Sequence, residues 1–346
     1  MASSPGIFRT RCSKALALSK ANSILIFNND STKDANANFE YLSGTTIDNS
    51  VLLVRKAGAI LWTTRMNFEQ ARSLSPFPVK MMPKGKFTEA IKPMLKGSKL
   101  GLDMNSISAE RFLRLRRKLG KKVVDCGDAP SKLRLMKGSG EIAKISRAVK
   151  LAKKILCETE QVMHRRMTEQ DVRADLLKRC LEYGCEPAFE PIVATGSSSR
   201  FPHYKAGKRK LDGIVLIDFG VRLDGYCSDL TRCFFLGPCK KEREAYAKLQ
   251  DISADIMQEI PNLKKARELA LFSDKLFKAE GLPKPIHSIG HGIGMEVHES
   301  PRLSAKSKDA LVPGMALAIE PAAYFRDFGV RYEETLVLEK SRARVL

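Results

Sequence analysis

Five residues that commonly bind metals stand in order in the second half of the chain: Asp218, Asp229, His291, Glu320 and Glu333. Four carboxylates and one imidazole form an oxygen-rich set, which suits hard or borderline divalent cations better than structural zinc. Four negative charges also nearly balance two divalent cations together with one hydroxide. The residue types therefore predict a hydrolytic site that holds two metal ions.

Short β-rich runs carry the first two carboxylates. An apolar run, Gly213 to Asp218, ends in a carboxylate, and a second run, Leu230 to Leu236, begins just after Asp229. Between the two runs, Asp224-Gly225 is a turn signal. If the runs pair as a hairpin, the carboxylates approach each other. Two anions that close repel strongly, so the arrangement predicts cations between them.

The other three candidates come from separate segments. His291 lies in GHGIGMEVHE, whose glycines allow the backbone to crowd a site. Glu320 ends the apolar run in LAIEP, and Glu333 begins one in GVRYEETLVL. Glu320 and Glu333 are therefore expected at the ends of strands.

The segments DFG-x8-D, GHGIG-x3-HE, IEP and VRYEE, in this order, resemble those of the pita-bread-fold metallopeptidases. That family includes methionine aminopeptidase, aminopeptidase P, Xaa-Pro dipeptidase (prolidase) and creatinase. The resemblance is clear over residues 140–340 and implies an α+β pita-bread catalytic domain at 131–346. It also implies a creatinase-type α/β N-terminal domain at 1–130, which methionine aminopeptidases lack.

The resemblance assigns roles to the five ligand candidates. Asp218 would bind one metal, His291 and Glu320 the other, and Asp229 and Glu333 would bridge the pair. The two divalent ions (Mn, Co, Fe or Zn) would activate a water molecule. Glu320 would take the proton of that water and pass it to the leaving nitrogen.

Three further residues match positions that contact substrate in the family, and a fourth candidate, Arg331, stands two residues before Glu333. His298 matches a histidine that hydrogen-bonds the scissile carbonyl or the oxyanion, and His203 matches the substrate-side histidine of the proline-specific branch. Arg302 matches an arginine that binds the free carboxylate of a dipeptide in prolidase-like members, a task that suits a guanidinium. A surface arginine is the alternative interpretation. Arg331 would orient Glu333 or contact substrate.

The remaining histidines and aromatic residues are interpreted as structural. His287, four residues before His291, could support the site but is expected to be packed, and His164 has only a structural role. Tyr324 and Phe201 could wall an apolar pocket for a proline ring, although aromatic residues near strands more often belong to the core.

Three departures from the family pattern are Ala318, Ala322 and the order Asp212-Gly213. None of them removes a ligand. They change the neighbourhood of the site, and with it the expected rate and metal preference.

Composition is that of an ordinary globular protein. The 346 residues are 43% hydrophobic and 29% charged, and no apolar run approaches the ~20 residues that span a bilayer. Eight cysteines without a CxxC pair indicate reduced thiols and a cytoplasmic protein. The basic start of the chain superficially fits a transit peptide. Phe8, Cys12, Leu16 and Leu18 instead predict a helix packed into a domain.

The net charge of +21 could attract nucleic acid or an acidic membrane. The densest basic run, residues 114–122, lacks interleaved aromatic residues. We interpret it as the solvated face of a helix, with nucleic-acid binding as the alternative.

The pattern of segments predicts the elements around the site. Residues 51–64 predict a hairpin, and Asp128 to Ser131 marks the joint between the two domains. Four helices are then expected over Gly140–Met167, Glu169–Tyr183, Lys241–Ile260 and Leu263–Glu280.

The combined prediction is a dinuclear metallopeptidase that cleaves Xaa-Pro bonds, with dipeptides as its substrates and a homodimer as its assembly. One alternative is an aminopeptidase P that acts on longer peptides with proline in the second position. The other is a catalytically inactive pita-bread protein that binds nucleic acid or protein.

Overall fold

The computed structural model describes residues 5–28, 36–95, 97, 99–120 and 122–346. The chain divides into two compact units, Met1–Arg134 and Leu135–Leu346. In the described part of the chain, no helix combines the length and apolar character that a membrane span needs.

The first unit is an α/β domain. Its helices are α1 (Pro5–Ser19), α2 (Ala37–Ser43), α3 (Phe68–Leu74), α4 (Phe87–Ile91), α5 (Ala109–Leu119) and α6 (Asp128–Leu135), which crosses the boundary between the units. Its strands are β1 (Ser23–Asn28), β2 (Ser50–Arg55), β3 (Gly58–Thr63), β4 (Val79–Met81), β5 (Lys99–Leu102) and β6 (Lys122–Asp125). Among the described residues these form one sheet in the order β4-β3-β2-β1-β5-β6.

The features predicted for this unit include a hairpin and a packed first helix. The hairpin expected at 51–64 is confirmed, because β2 and β3 pair antiparallel from Arg55 opposite Gly58 to Ser50 opposite Thr63. Helix α1 buries Cys12 and Leu16 in the domain. Leu18 was wrongly placed on the same face, since its side chain is 49% exposed.

The segment Asp128 to Ser131, predicted as the joint between the domains, is the first half of α6, and the two compact units divide four residues later in sequence, between Arg134 and Leu135. Pro130 lies in the first turn of this helix. A proline there loses no helical hydrogen bond, because the first four backbone N–H groups of a helix have no partner within it. The Asp-Ala-Pro-Ser sequence is therefore compatible with a helix start as well as a turn.

The second unit contains the predicted site. Its helices are α7 (Ser139–Val162), α8 (Glu169–Glu182), α9 (Lys240–Glu259) and α10 (Ala266–Ala279). Its strands are β7 (Glu186–Pro187), β8 (Ile192–Thr195), β9 (Gly213–Phe219), β10 (Val221–Leu223), β11 (Tyr226–Cys227), β12 (Leu230–Leu236), β13 (Gly290–Gly292), β14 (Glu299–Arg302), β15 (Ala316–Ile319), β16 (Ala322–Tyr324), β17 (Gly329–Arg331), β18 (Glu334–Leu338) and β19 (Ala343–Val345).

The four predicted helices are present, and α7 ends five residues earlier than expected. The backbone of Met163 is extended, and Met167 donates a hydrogen bond to the carbonyl of His164, which forms a turn. Thr168 then caps α8 through a reciprocal pair of bonds with Asp171. Helix α7 therefore ends before the turn that leads into α8.

Two sheets of the second unit share one core. The described strands form the sheets β12-β9-β8 and β14-β13-β15-β18-β19. Buried side chains of β9, β15 and β18 join those of α9 and α10 in a single apolar cluster. This packing fixes the strands that carry the metal-ligand candidates.

Candidate metal centre

The hairpin predicted for the first two carboxylates is confirmed. Strands β9 and β12 pair antiparallel with Asp218 opposite Thr231, and Asp229 immediately precedes β12. Gly220 lies between the two carboxylates in sequence, and a Cβ atom there would come within 2.0 Å of the carbonyl oxygen of Ser228. Only glycine permits this close crossing of the backbone.

The second sheet brings the other three candidates to the same place. His291 on β13 lies opposite Ala318 of β15 and opposite Arg302 of β14. Glu320 follows β15 directly, and Glu333 stands between β17 and β18. The glycines flanking His291 allow this pairing, since a Cβ at either would come within 2.1 Å of a backbone oxygen.

The five predicted ligands converge on one cleft of about 1150 Å³. One oxygen from each of Asp218, Asp229 and Glu333 lies within 4.8 Å of the others, and Asp229 also forms such a group with His291 and His298. The Nε2 atom of His291 is 3.6 Å from Asp229 Oδ2 and 3.9 Å from Glu320 Oε1. Asp229 thus belongs to two overlapping groups of donor atoms.

These residues fit divalent metal ions. The Oδ1 atoms of Asp218 and Asp229 are buried and, among the described residues, have no hydrogen-bond partner. Buried, unsatisfied carboxylate oxygens are costly unless a cation lies against them. An oxygen-rich donor set with one imidazole suits Mn, Co, Fe or Zn.

The imidazole of His291 is held in the form that a metal requires. Its Nδ1 lies 3.1 Å from the carbonyl oxygen of Gly292, so Nδ1–H donates to that oxygen. The lone pair of Nε2 then faces Asp229 and Glu320. Burial lowers the pKa of His291 to about 4, which keeps the ring neutral.

The crowded carboxylates strongly disfavour full ionisation. Burial, followed by the charge of Glu333, raises the pKa values of Asp229 and Glu320 well above their usual range. Burial and the charge of Asp218 raise the pKa of Glu333 to about 7. Without cations, the site therefore holds protons at neutral pH.

Arg331 compensates part of this charge, but its partner differs from the one expected. Its Nη2 donates to Asp218 Oδ2 at 2.5 Å, Nε donates to Thr231 at 2.9 Å, and Nη1 donates to Tyr324 at 3.1 Å. Glu333 accepts instead from the hydroxyl of Thr231 at 2.7 Å. Arg331 therefore bonds Asp218 directly, and its hydrogen-bond link to Glu333 passes through Thr231.

His287 was expected to be a packed side chain, and it lines the cleft instead. Its Nδ1–H donates to the carbonyl of Ser288 at 2.8 Å, so Nε2 accepts from the hydroxyl of Tyr324 at 2.9 Å. Its Nδ1 is also 3.6 Å from Glu320 Oε2. Spacing along the chain could not show this contact, because Tyr324 arrives from β16.

The remaining predicted residues divide into two groups. His203, His298 and Arg302 line the same cleft as the ligands. Phe201 is 48% exposed and stacks on Tyr204, and His164 lies in the turn after α7. Cleft residues that sequence reasoning did not identify, and that no motif marked, are Arg173, Phe189, Glu190, Ile192, Tyr204 and Lys205.

The chain belongs to metallopeptidase family M24, whose family model matches residues 143–340. The creatinase/prolidase N-terminal domain matches residues 9–136. The chain is 30% identical to the Xaa-Pro dipeptidase of Pyrococcus furiosus over 89% of its own length and 90% of that protein.

Solved structures agree with this assignment. The Xaa-Pro dipeptidase of Bacillus anthracis superposes with a TM-score of 0.90 at 25% identity, over 99% of this chain and 97% of that one. The X-Pro aminopeptidase of Thermotoga maritima superposes with a TM-score of 0.87 at 27% identity, over 96% of both chains. The predicted fold class is confirmed: a creatinase-type N-terminal domain precedes a pita-bread catalytic domain, and the protein is a metallopeptidase.

Proposed function

We propose that this metallopeptidase hydrolyses Xaa-Pro dipeptides at a site with two divalent metal ions. The observation that carries the proposal is the position of Arg302. It lies opposite His291 across β13 and β14 and lines the same cleft as the five ligands. A guanidinium that lines the cleft of a hydrolytic centre suits a substrate whose carboxylate follows shortly after the scissile bond. The similarity to the Pyrococcus furiosus Xaa-Pro dipeptidase supports it.

The ligand set proposed for the two ions is Asp218, Asp229, His291, Glu320 and Glu333. Asp229 would be shared, in keeping with its place in two groups of donor atoms, and Glu333 would be the second shared ligand. When bound, the ions supply Lewis acidity, which polarises a carbonyl and acidifies water.

The chain's own residues handle the protons and the substrate. Glu320 takes a proton from the attacking water and delivers it to the leaving nitrogen of proline. His298, whose ring centroid is 4.4 Å from that of His291, donates to the oxygen of the scissile carbonyl. His203, which lines the same cleft, contacts the substrate as well.

Aminopeptidase P activity is the second candidate function. The cleft of about 1150 Å³ exceeds the room that a dipeptide needs, and the Thermotoga maritima structure is an X-Pro aminopeptidase. An aminopeptidase would not require a carboxylate clamp. The two candidates therefore differ in what Arg302 does.

Comparison of Ala-Pro with Ala-Pro-Ala tests the proposal directly. In the Arg302→Ala variant, kcat/KM for the dipeptide should fall by about 100-fold, since a charge-assisted bidentate pair contributes about 3 kcal/mol. The tripeptide, whose carboxylate lies one residue further on, should lose less than about 5-fold. The matched control is Lys306→Ala, an exposed cation nearby in sequence that should change neither value.

Two outcomes would overturn the dipeptidase proposal. Cleavage of the tripeptide alone by the unmodified enzyme would assign the chain as an aminopeptidase P. Equal losses of kcat/KM on both substrates in Arg302→Ala would show that Arg302 does not bind the carboxylate of the dipeptide.

The Asp229→Asn variant tests the metal ligands. Loss of all cleavage in this variant, with reduced metal content, is the result expected if the shared ligand is correctly assigned.

We further propose a cytoplasmic homodimer in which residues 131–346 carry catalysis and residues 1–130 form the N-terminal domain. All eight cysteines are free thiols, which suits a reducing compartment. Sedimentation equilibrium should give twice the chain mass of 38.5 kDa.

A further inference from the structure

The first residue of α8, Glu169, is a buried carboxylate outside the metal cluster. The residue is 0% exposed. Its Oε1 accepts from the backbone N–H of Thr195 at 3.0 Å. Its Oε2 accepts two bonds, from the hydroxyl of Tyr204 and the backbone N–H of Gly207, each at 3.0 Å. Three donors thus satisfy one carboxylate.

Residues 196–210 form one loop, which we call the His203 loop. The backbone donors Thr195 and Gly207 lie towards its two ends, and the hydroxyl donor Tyr204 lies at its tip. Thr195 is the last residue of β8, from which the loop departs, and Gly207 lies where it returns. The backbone of α8 reinforces the return, because Glu169 N–H donates to Arg209 and Gln170 N–H donates to Gly207. The Glu169 side chain therefore connects the segment that leads into the loop with the segment that leads out of it.

The tip of this loop forms one wall of the catalytic cleft. Pro202, His203, Tyr204 and Lys205 line the cleft, as do all five proposed metal ligands. His203 and Lys205 belong to the exposed residues of the loop. The position of the His203 imidazole therefore depends on the backbone that carries it, and that backbone is tied to Glu169.

The carboxylate suits this task better than its neutral analogue. A carboxylate has lone pairs on both oxygens and accepts all three bonds, and hydrogen bonds to a charged acceptor are about twice as strong as neutral ones. The negative charge also lies at the N-terminus of α8, where the helix dipole favours it. A glutamine would replace one oxygen by an NH2 group, which cannot accept from Thr195, or from Tyr204 and Gly207.

We propose that Glu169 is a positioning residue for the peptidase reaction, which sets His203 against the substrate by clamping both ends of the His203 loop. The inference rests on the proposed function, since it assumes that His203 contacts the substrate. Glu169 itself touches neither the substrate nor a metal ligand. Its effect on turnover must therefore pass through the loop.

A double-mutant cycle tests this dependence. Glu169→Gln should lower kcat/KM for Ala-Pro by about 30- to 100-fold, because a catalytic group displaced by about 1 Å loses rate on this scale. In the His203→Ala background the same substitution should change kcat/KM by less than about 3-fold, since the group that it positions is gone. A role in general stability would lower activity equally in both backgrounds.

The control is Asp171→Asn, two residues further along α8. This substitution also neutralises a carboxylate on the first turn, but among the described residues the Asp171 side chain bonds only to Thr168, and it is exposed. Its kcat/KM should stay within about 2-fold of the unmodified enzyme. If Glu169→Gln does not fold, Tyr204→Phe removes one of the three donors and replaces it in the cycle, with a smaller expected loss of about 5-fold.

A readout without catalysis completes the test. In the zinc-loaded protein, the imidazole Cε1–Hε1 resonance of His203, assigned by its loss in His203→Ala, should shift in Glu169→Gln while that of His164 does not. Additive losses of kcat/KM in the cycle, or an unchanged His203 resonance, would overturn the positioning role. Absence of Ala-Pro cleavage by the unmodified enzyme would instead overturn the proposed function, and the resonance would still report whether Glu169 places His203.

Discussion

Single residues set the charge balance of the cleft. Asp218 is the ligand candidate with an internal cation, because the buried guanidinium of Arg331 lies against it. Although burial opposes the charged form of Arg331, the carboxylates of Asp218 and its neighbours raise the pKa of that side chain. Arg331 therefore stays charged and supports Asp218 before any metal binds.

The cost of removing this cation should be large. At pH 8, Arg331→Met in the metal-stripped protein should lose about 3–5 kcal/mol of unfolding free energy, because it leaves a buried carboxylate unpaired. Tyr324→Phe, the control, removes one neutral partner of Arg331 and should lose about 1 kcal/mol. Urea denaturation measures both values. Similar losses in the two variants would show that Arg331 does not compensate Asp218.

Elements position the histidines through buried carboxylates. The turn between β13 and β14 carries His298, and Glu299 closes it by accepting from the backbone N–H groups of Met295 and Glu296 at 2.9 and 3.2 Å. The Nζ of Lys137 lies 3.1 Å from the other oxygen of Glu299, and the two side chains are 2% and 6% exposed. This buried ion pair ties the turn to the segment that precedes α7.

Breaking this pair should loosen the turn. Lys137→Met should destabilise the protein by about 3–5 kcal/mol, because it removes the cation from a buried ion pair. Hydrogen exchange should show lost protection at Met295 and Glu296. The control Lys178→Met breaks an exposed pair with Glu182 on α8 and should change stability by less than about 0.5 kcal/mol. Unchanged protection in Lys137→Met would show that the pair does not hold the turn.

At the scale of the whole molecule, two sets of titrating groups change the stability of the metal-free protein with pH in opposite directions. The pKa values of Asp229, Glu320 and Glu333 are raised in the folded protein, so the stability linked to them is present at low pH and is lost as pH rises. Those of His287 and His291 are lowered to about 4, so their contribution is lost as pH falls below 6.5. Above pH 6.5 the carboxyl groups dominate.

The metal-stripped protein should therefore become less stable from pH 6.5 to pH 8, by up to about 1.4 kcal/mol per pH unit for each proton released. Bound divalent ions take the place of those protons, so saturation with metal should abolish the decline. Denaturation of stripped and loaded protein at both pH values measures the difference. Glu333→Gln should flatten the part of the decline near pH 7. A rise in stability of the stripped protein with pH would contradict the assignment.

The ligand set and the local elements could be predicted from the sequence because their signals are local. The β9–β12 hairpin follows from two apolar runs and an Asp-Gly turn, and Asp224 has the positive φ of 53° that such a turn requires. The glycines beside His291 marked a close approach of backbones that the structure contains. The roles assigned to the ligands stay predictions until metal binding is measured.

Contacts between distant segments were decided only by the tertiary structure. Arg331 and Asp218 are 113 positions apart, and Glu169 and Tyr204 are 35 apart. Nothing in the local pattern distinguishes Glu169 from an ordinary first-turn acid, or His287 from a packed histidine. The sequence alone determines which chemical groups are available as metal ligands and substrate contacts. The hydrogen-bond partners that hold these groups in place depend on which strands and loops pack together, because a hydrogen bond forms only between atoms that folding brings within about 3 Å.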